Sequence, residues 1–71
     1  MNYFTVEIQV LKDGTTAQAI FRHESEEAAV SAFHSAMASF CISGAIARGT
    51  CIVMDGGGEI IRNETVVRSV S

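Results

Sequence analysis

The chain has 71 residues, a net charge of −3 and a hydrophobic fraction of 48%. This length allows one domain, residues 1–71, with a small core, and the composition excludes a disordered chain. The five basic residues are scattered singly, which argues against a nucleic-acid-binding surface. No apolar run reaches the roughly 20 residues that cross a bilayer. We therefore expect a globular domain that binds neither nucleic acid nor membrane.

The first third of the sequence predicts a β-hairpin. From Tyr3 to Lys12, apolar and polar residues alternate with the period of a half-buried strand. Asp13-Gly14 predicts a two-residue type I′ turn, in which both central residues need a positive φ. Thr15 to His23 is then the returning strand. The apolar residues that alternate in the first strand are Phe4, Val6, Ile8 and Val10.

One helix is predicted from about Ser25 to Ser43. Ser25 suits the N-cap position, and Glu26 and Glu27 fall in the first turn, where the helix dipole favours negative charge. Gly44 suits the C′ position that ends a helix. At 100° per residue, one side of this helix is predicted to face the core. Its residues are Ala29, Val30, Phe33, Ala36, Met37, Phe40 and Cys41.

The last third of the sequence predicts a second hairpin. Ala45 to Met54 has apolar residues on both faces near its end, as a central strand does. The turn Asp55 to Gly58 runs into a strand rather than a helix, which favours a hairpin turn over a phosphate-binding loop. Glu59 to Arg68 is the fourth strand, and residues 69–71 are expected to fray. The prediction is an α+β, two-layer ββαββ fold: a four-stranded, mainly antiparallel sheet with one helix packed on it.

The aromatic residues predict the core. Phe4 and Phe21 are expected to pack beneath the helix against Phe33 and Phe40. A base-stacking role for the strand aromatics, as in small RNA-binding sheets, lacks the accompanying basic residues, and the acidic net charge favours the core interpretation.

The cysteines and histidines indicate no catalytic residue, metal or cofactor. Cys41 and Cys51 lack the tight paired spacing of zinc ligands, and no oxyanion-hole signature accompanies a nucleophilic pair such as Cys41 with His34. Both thiols are expected to be small core residues. The two cysteines and the absence of a secretory signal in the sequence favour a reduced, cytoplasmic setting.

The side of the helix opposite its core face is small and uncharged. After Glu27, the next charged residue is Arg48. A surface helix normally carries charge on its outer face, so two interpretations stay open: a solvated Ala/Ser face, or a contact with a partner. We expect a homodimer formed through this helix or through a sheet edge. The candidate interface residues are Ala28, Ser31, Ala32, His34, Ser35, Ser39 and Ile42.

Several segments together resemble a known group of proteins. They are Tyr3 to Gln9, Asp13 to Thr15, Glu27-Ala28, Phe33 to Ser43, Met54-Asp55, Gly58 and Ile61 to Glu64. These segments are similar to small uncharacterised proteins encoded by phages and prophages of Gram-positive bacteria. The resemblance covers nearly the whole chain and implies a bacterial or phage origin and a cytoplasmic location. It implies no active site, because the group has no assigned activity.

The leading functional hypothesis is a non-enzymatic interaction or assembly module that self-associates, with a phage or host protein as a further candidate partner. The alternative is a small ligand-binding or regulatory domain that uses the open face of the sheet. The residues proposed for that alternative are Tyr3, Thr5, Glu7, Arg62 and Arg68. An enzyme ranks third, since two hairpins and one helix leave little room for a concave polar pocket.

Overall fold

The computed structural model describes residues 2–67 of the chain. Its elements in chain order are β1 (Tyr3–Leu11), β2 (Thr16–His23), α1 (Glu26–Ile42), β3 (Ile46–Asp55) and β4 (Ile60–Val67). The strands form one antiparallel sheet in the order β2-β1-β3-β4, and α1 packs on one face of it. The predicted ββαββ fold is confirmed. Arg68, predicted to end the fourth strand, and the tail 69–71 lie outside the described residues.

The helix begins and ends at the predicted residues. Ser25 is the N-cap: its backbone is extended and its Oγ accepts a hydrogen bond from the Ala28 N–H at 3.1 Å. Ser43 is the C-cap, and its N–H donates to the Ser39 carbonyl at 2.9 Å. Gly44 follows at C′ as predicted, but its φ is not positive. The helix therefore ends without the left-handed turn that a C′ glycine commonly supplies.

The first hairpin closes with a turn one residue longer than predicted. The Gly14 N–H donates to the Leu11 carbonyl at 2.9 Å, and the Leu11 N–H donates to the Thr15 carbonyl at 2.8 Å. Gly14 has a φ of 92°, and none of the non-glycine residues in 2–67 has a positive φ. The central residues of the turn are thus Lys12 and Asp13, followed by a left-handed glycine. The type I′ prediction is wrong because the longer loop spares Asp13 a positive φ, which costs a non-glycine residue energy.

The second hairpin uses the same design. The Gly58 N–H donates to the Asp55 carbonyl at 3.1 Å, the Asp55 N–H donates to the Glu59 carbonyl at 2.9 Å, and Gly58 has a φ of 89°. The Asp55 carboxylate further fixes the loop, because its Oδ1 accepts from the N–H groups of Gly57 at 2.9 Å and Glu59 at 3.0 Å. The predicted turn at residues 55–58 is confirmed, and its glycines are explained by the turn.

The core lies between α1 and the two central strands. Its largest members, Phe33 and Phe40, are each 1% exposed. Beneath Phe40 the sheet has no side chain, since a Cβ at Gly49 would lie 2.5 Å from the Phe40 ring. The Phe40 ring needs a residue without a side chain below it, and this requirement favours the face of the sheet that carries Gly49. The buried hydrophobic residues are Ala29, Phe33, Ala36, Phe40, Ile46, Cys51 and Val53.

The alternating apolar residues of β1 lie on the face of the sheet that α1 does not cover. Thr5, which pairs with Val53, is fully buried beneath α1. Because successive side chains point to opposite faces, Phe4 lies on the other face of the sheet. The prediction that Phe4 packs under the helix is therefore wrong. Phe21 pairs with Thr5 and does lie on the helix side, but it is 48% exposed on the edge strand β2.

The buried stripe of α1 is narrower than predicted. Val30 and Met37 are half-buried on its flanks, whereas Cys41 is exposed. The prediction that both thiols are core residues is correct for Cys51 and wrong for Cys41. The physical reason is angular: Cys41 is rotated by 100° from the buried Phe40, away from the sheet.

Candidate functional site

The sheet face that α1 does not cover, called the open face here, is largely apolar. Residues paired across antiparallel strands share a face. Val6 pairs with Ile20 on β2 and Ile52 on β3, and Phe4 pairs with Met54. The side chains on the two central strands are half-buried by their neighbours within the sheet, and Ile20 on edge strand β2 is 70% exposed. The apolar residues that the strand pairing places on the open face are Phe4, Val6, Ile8, Val10, Ile20, Ile52, Met54, Ile60 and Val67.

Apart from Arg48 near one end and Thr50 on the central strand β3, the polar side chains of the open face lie on its outer strands. Thr50 and Thr65 lie side by side, with their hydroxyl oxygens 2.9 Å apart. Arg22, which pairs with Phe4, and Arg48, which pairs with Val10, therefore lie near opposite ends of the face. They are its charged residues within the range 2–67.

Within residues 2–67, the acidic residues of the strands lie on the helix side of the sheet and not on the open face. Glu7 and Glu64 pair with Cys51 and so share the helix side of the sheet. The others belong to α1, to the turns or to the segment before the helix. Although the net charge of the chain is −3, the strand residues in the range 2–67 give the open face two guanidinium groups and no acidic side chain. The eight acidic residues are Glu7, Asp13, Glu24, Glu26, Glu27, Asp55, Glu59 and Glu64.

The predicted helix interface lies on the solvent side of α1. Its most exposed large side chain is Ile42, at 83%. The His34 ring packs edge-on against Phe33, with the ring centroids 5.3 Å apart. Because the other side chains are mainly Ala and Ser, this surface offers less apolar area than the open face. A partner on it stays a prediction. The residues Ala28, Ser31, His34, Ser35, Ser39 and Ile42 are exposed, and Ala32 is half-buried.

A groove of about 490 Å³ runs between α1 and the β1–β2 side of the sheet. Glu7 and His23 line it from the sheet, and Ser35 and Ser39 line it from the helix. Beside it, the Oγ1 atom of the buried Thr5 is 3.1 Å from Nε2 of His23, so the hydroxyl has a hydrogen-bond partner. The groove combines an apolar floor with polar walls.

The residues of the ligand-binding alternative do not lie on the open face. Tyr3, Thr5 and Glu7 belong to the helix side of β1. Arg62 pairs with Val53 on that side, and its Cζ lies 6.0 Å from the centre of the Phe33 ring. That assignment is wrong because it followed from placing the apolar residues of β1 under the helix. Arg68 lies outside the described residues.

The two thiols differ in environment. Cys51 is fully buried, and burial together with the nearby Glu7 carboxylate raises the pKa of its thiol to about 11. Cys41 is exposed on α1. Within residues 2–67, no three His, Cys, Asp or Glu side chains are grouped closely enough to hold a metal ion. In the same range, α1 is too short and too polar to cross a bilayer.

The open face, which is the larger apolar surface, was not predicted as the candidate site from the sequence. A comparison of two strands could have indicated this face. In β1 the bulky Val6 and Ile8 share one face, whereas in β3 the small residues Gly49 and Cys51 share one face. Phe40 packs directly above Gly49, and the face of β1 that carries Val6 and Ile8 is left uncovered.

Comparisons with known proteins add no functional assignment. No family model matches the chain, and neither a curated protein nor a solved structure is detectably similar to it. The function is therefore argued from the surfaces described above.

Proposed function

We propose that this chain is a non-enzymatic interaction module that acts through its open face. The observation that carries the proposal is the inverted alternation of β1. In a sheet covered on one side, the covered face is normally apolar and the other face polar. Here Val6 and Ile8 are uncovered, whereas Glu7 and Gln9 lie on the helix side.

The energetics support a protein partner. Fully burying a Val, Ile, Phe or Met side chain stabilises by about 1.5–3 kcal/mol relative to leaving it exposed. The central side chains of the open face are already more than half buried, so a covering partner gains at most about a third of this for each one. The exposed Ile20, Ile60 and Val67 on the outer strands gain more. Summed over the nine apolar residues of the face, the gain favours association. An apolar patch of this extent on a small domain is typical of an interaction site.

The cellular role belongs to the same proposal. The resemblance of segments such as Tyr3 to Gln9 to phage and prophage proteins supports an accessory role in the cytoplasm of a bacterium. A phage or host protein is then a candidate partner in addition to self-association.

Photo-crosslinking tests the proposal, and the chain supplies a matched pair of positions. Phe4 lies on the open face and pairs with Arg22 on β2. Phe21, the residue before Arg22, lies on the helix side of the sheet. Each is replaced by p-benzoylphenylalanine, a conservative change, and cells expressing the chain are irradiated. We expect a discrete protein adduct from position 4 and none from position 21. If position 4 yields no protein adduct, or the same adducts as position 21, the open face is not an interaction surface.

A second candidate function is the binding of a small ligand in the groove beside α1. Its supporting observation is the convergence of Glu7, Gln9 and His23 with helix hydroxyls over an apolar floor. In a thermal-shift screen of small polar metabolites, a true ligand raises the Tm of the wild type but not of Ser39→Trp, which fills the groove. A ligand that stabilises both proteins equally binds elsewhere.

A further inference from the structure

We infer that the partner of the open face is a second copy of this chain, stacked sheet to sheet as a four-layer α/β/β/α dimer. The inference rests on the proposed function, because it names the occupant of the same surface. Each copy would keep its helix on the outside and contribute its open face to the centre. The central strands β1 and β3 would then be covered on both faces.

The area of the face is sufficient for a specific dimer. The strands are 8 to 10 residues long. With strands about 4.8 Å apart and about 3.3 Å per residue, the footprint is roughly 19 by 30 Å, or about 600 Å² per copy. Two copies together bury about 1,200 Å², which reaches the lower end of the range for stable, specific interfaces. The helix outer face, one helix wide and built of small side chains, offers less.

The arrangement of strands makes the face suitable for two-fold pairing. The order β2-β1-β3-β4 places one hairpin on each side of a central antiparallel pair. A two-fold axis parallel to the strands, midway between two stacked sheets, puts β1 of one copy over β3 of the other. The Val6–Ile52 pairs of both copies then meet near the middle of the interface, and the Phe4–Met54 pairs meet nearer one end of it.

The charges are compatible with this stacking. No strand carboxylate has to leave water, because none of the strand residues that the structure describes places an acidic side chain on the open face. Arg22 lies on the edge strand β2 and Arg48 lies near the opposite end of the face. In the two-fold arrangement neither guanidinium lies opposite another, and their long side chains can reach solvent at the rim. A second copy therefore fits the surface without burying an unpaired charge.

Sedimentation equilibrium tests the inference with two matched charge substitutions. Val6→Lys places an ammonium group at the centre of the open face, and Ser35→Lys adds the same charge to the helix outer face. We expect the wild type and Ser35→Lys to have twice the 7.6 kDa chain mass. For Val6→Lys we expect a dissociation constant raised about 100-fold or more, since a buried, unpaired charge opposes association. Ile20→Lys, at a position that is 70% exposed in the single chain, tests the same face without straining the fold.

The outcomes separate this inference from the proposed function. A wild type that stays monomeric from about 1 to about 500 µM overturns the second-copy inference, because a specific interface that buries about 1,200 Å² should associate in that range. A dimer that survives both Val6→Lys and Ile20→Lys but dissociates with Ser35→Lys moves the interface to the helix. A dimer that survives all three substitutions places the interface at a sheet edge.

A monomeric wild type that still gives a heterologous adduct from position 4 leaves the proposed function intact. A monomer that sediments with phosphatidylcholine–phosphatidylglycerol vesicles, with no protein adduct, overturns both.

Discussion

Replacing Gly49 by alanine should destabilise the protein through a single added methyl group. The new Cβ would lie 2.5 Å from Cγ and Cδ2 of Phe40 and 3.0 Å from its Cβ. These are the inner atoms of a side chain that is 1% exposed, so the ring cannot move aside without displacing its neighbours. Overpacking of this kind costs about 1–3 kcal/mol. The smaller entropy of the unfolded alanine chain offsets about 0.4–1 kcal/mol of that.

The net loss of about 1–2 kcal/mol should lower the Tm by roughly 5–15 °C in a domain of this size. Urea and thermal unfolding should be measured at one fixed protein concentration, because self-association would make the Tm depend on it. Gly44→Ala is the control: a Cβ there meets nothing within 4 Å and the φ is not positive. It should leave stability unchanged or slightly increased.

A double-mutant cycle makes the reasoning about Gly49 specific. Phe40→Leu removes part of the ring and should cost stability in the wild type. Combined with Gly49→Ala, it should cost less than the sum of the two single changes, because the smaller side chain makes room for the new methyl group. Strict additivity, or a Gly49→Ala protein as stable as the wild type, would show that the close approach of Phe40 to β3 does not constrain this position.

Four further predictions concern individual side chains. Phe33→Ala should cost about 3–5 kcal/mol, a large share of the stability of so small a domain, and a variant that melts near the wild-type Tm would contradict the packing of α1. Under native conditions a thiol reagent should modify Cys41 at once and Cys51 only on unfolding; two rapidly reacting thiols would contradict the burial of Cys51. Because burial raises the pKa of the Cys51 thiol from 9.0 to about 11, its contribution to stability should be complete below about pH 9 and lost as the pH rises towards 11, a loss that Cys51→Ala should abolish. The hydroxyl of Thr15 at 2.6 Å and its N–H at 2.9 Å donate hydrogen bonds to the Asp13 carboxylate and lower its pKa. The stability that these bonds give to the folded state is present above the ordinary Asp pKa of 3.8 and is lost as the pH falls through the lowered pKa of the folded state. An NMR titration should show the pKa of Asp13 rising in Thr15→Val, and an unchanged value would exclude the hydroxyl as its main cause.

The order and type of the elements could be predicted from the sequence because local signals specify them. Ser25 caps the helix in the structure as its position indicated, and the glycine-containing turns separate each pair of strands. The turn geometry could not be predicted, since Asp13-Gly14 is compatible with two hairpin loops. The longer loop, in which Gly14 alone has a positive φ, avoids strain at Asp13.

The orientation of the sheet relative to the helix could not be read from one strand. A period of two shows that Phe4 and Thr5 point to opposite faces, but it does not show which face the helix covers. That choice depends on tertiary packing: the Phe40 ring on α1 requires Gly49 beneath it. The predicted candidate surface was accordingly the helix, which is recognisable from its missing charges, while the larger open face depends on pairing between distant strands.

The central position of β1 has a consequence for how the chain folds. Each hairpin joins neighbouring segments and can form within microseconds. The pairing of β1 with β3, however, joins residues as distant in sequence as Tyr3 and Asp55, and closing so long a loop is slow. During synthesis, β1 leaves the ribosome first, and the backbone groups along its second edge stay unpaired until β3 has emerged. In that interval Val6 and Ile8 are exposed beside an unpaired edge, so the nascent chain should be most prone to aggregation, and most dependent on chaperones, before residue 55 emerges.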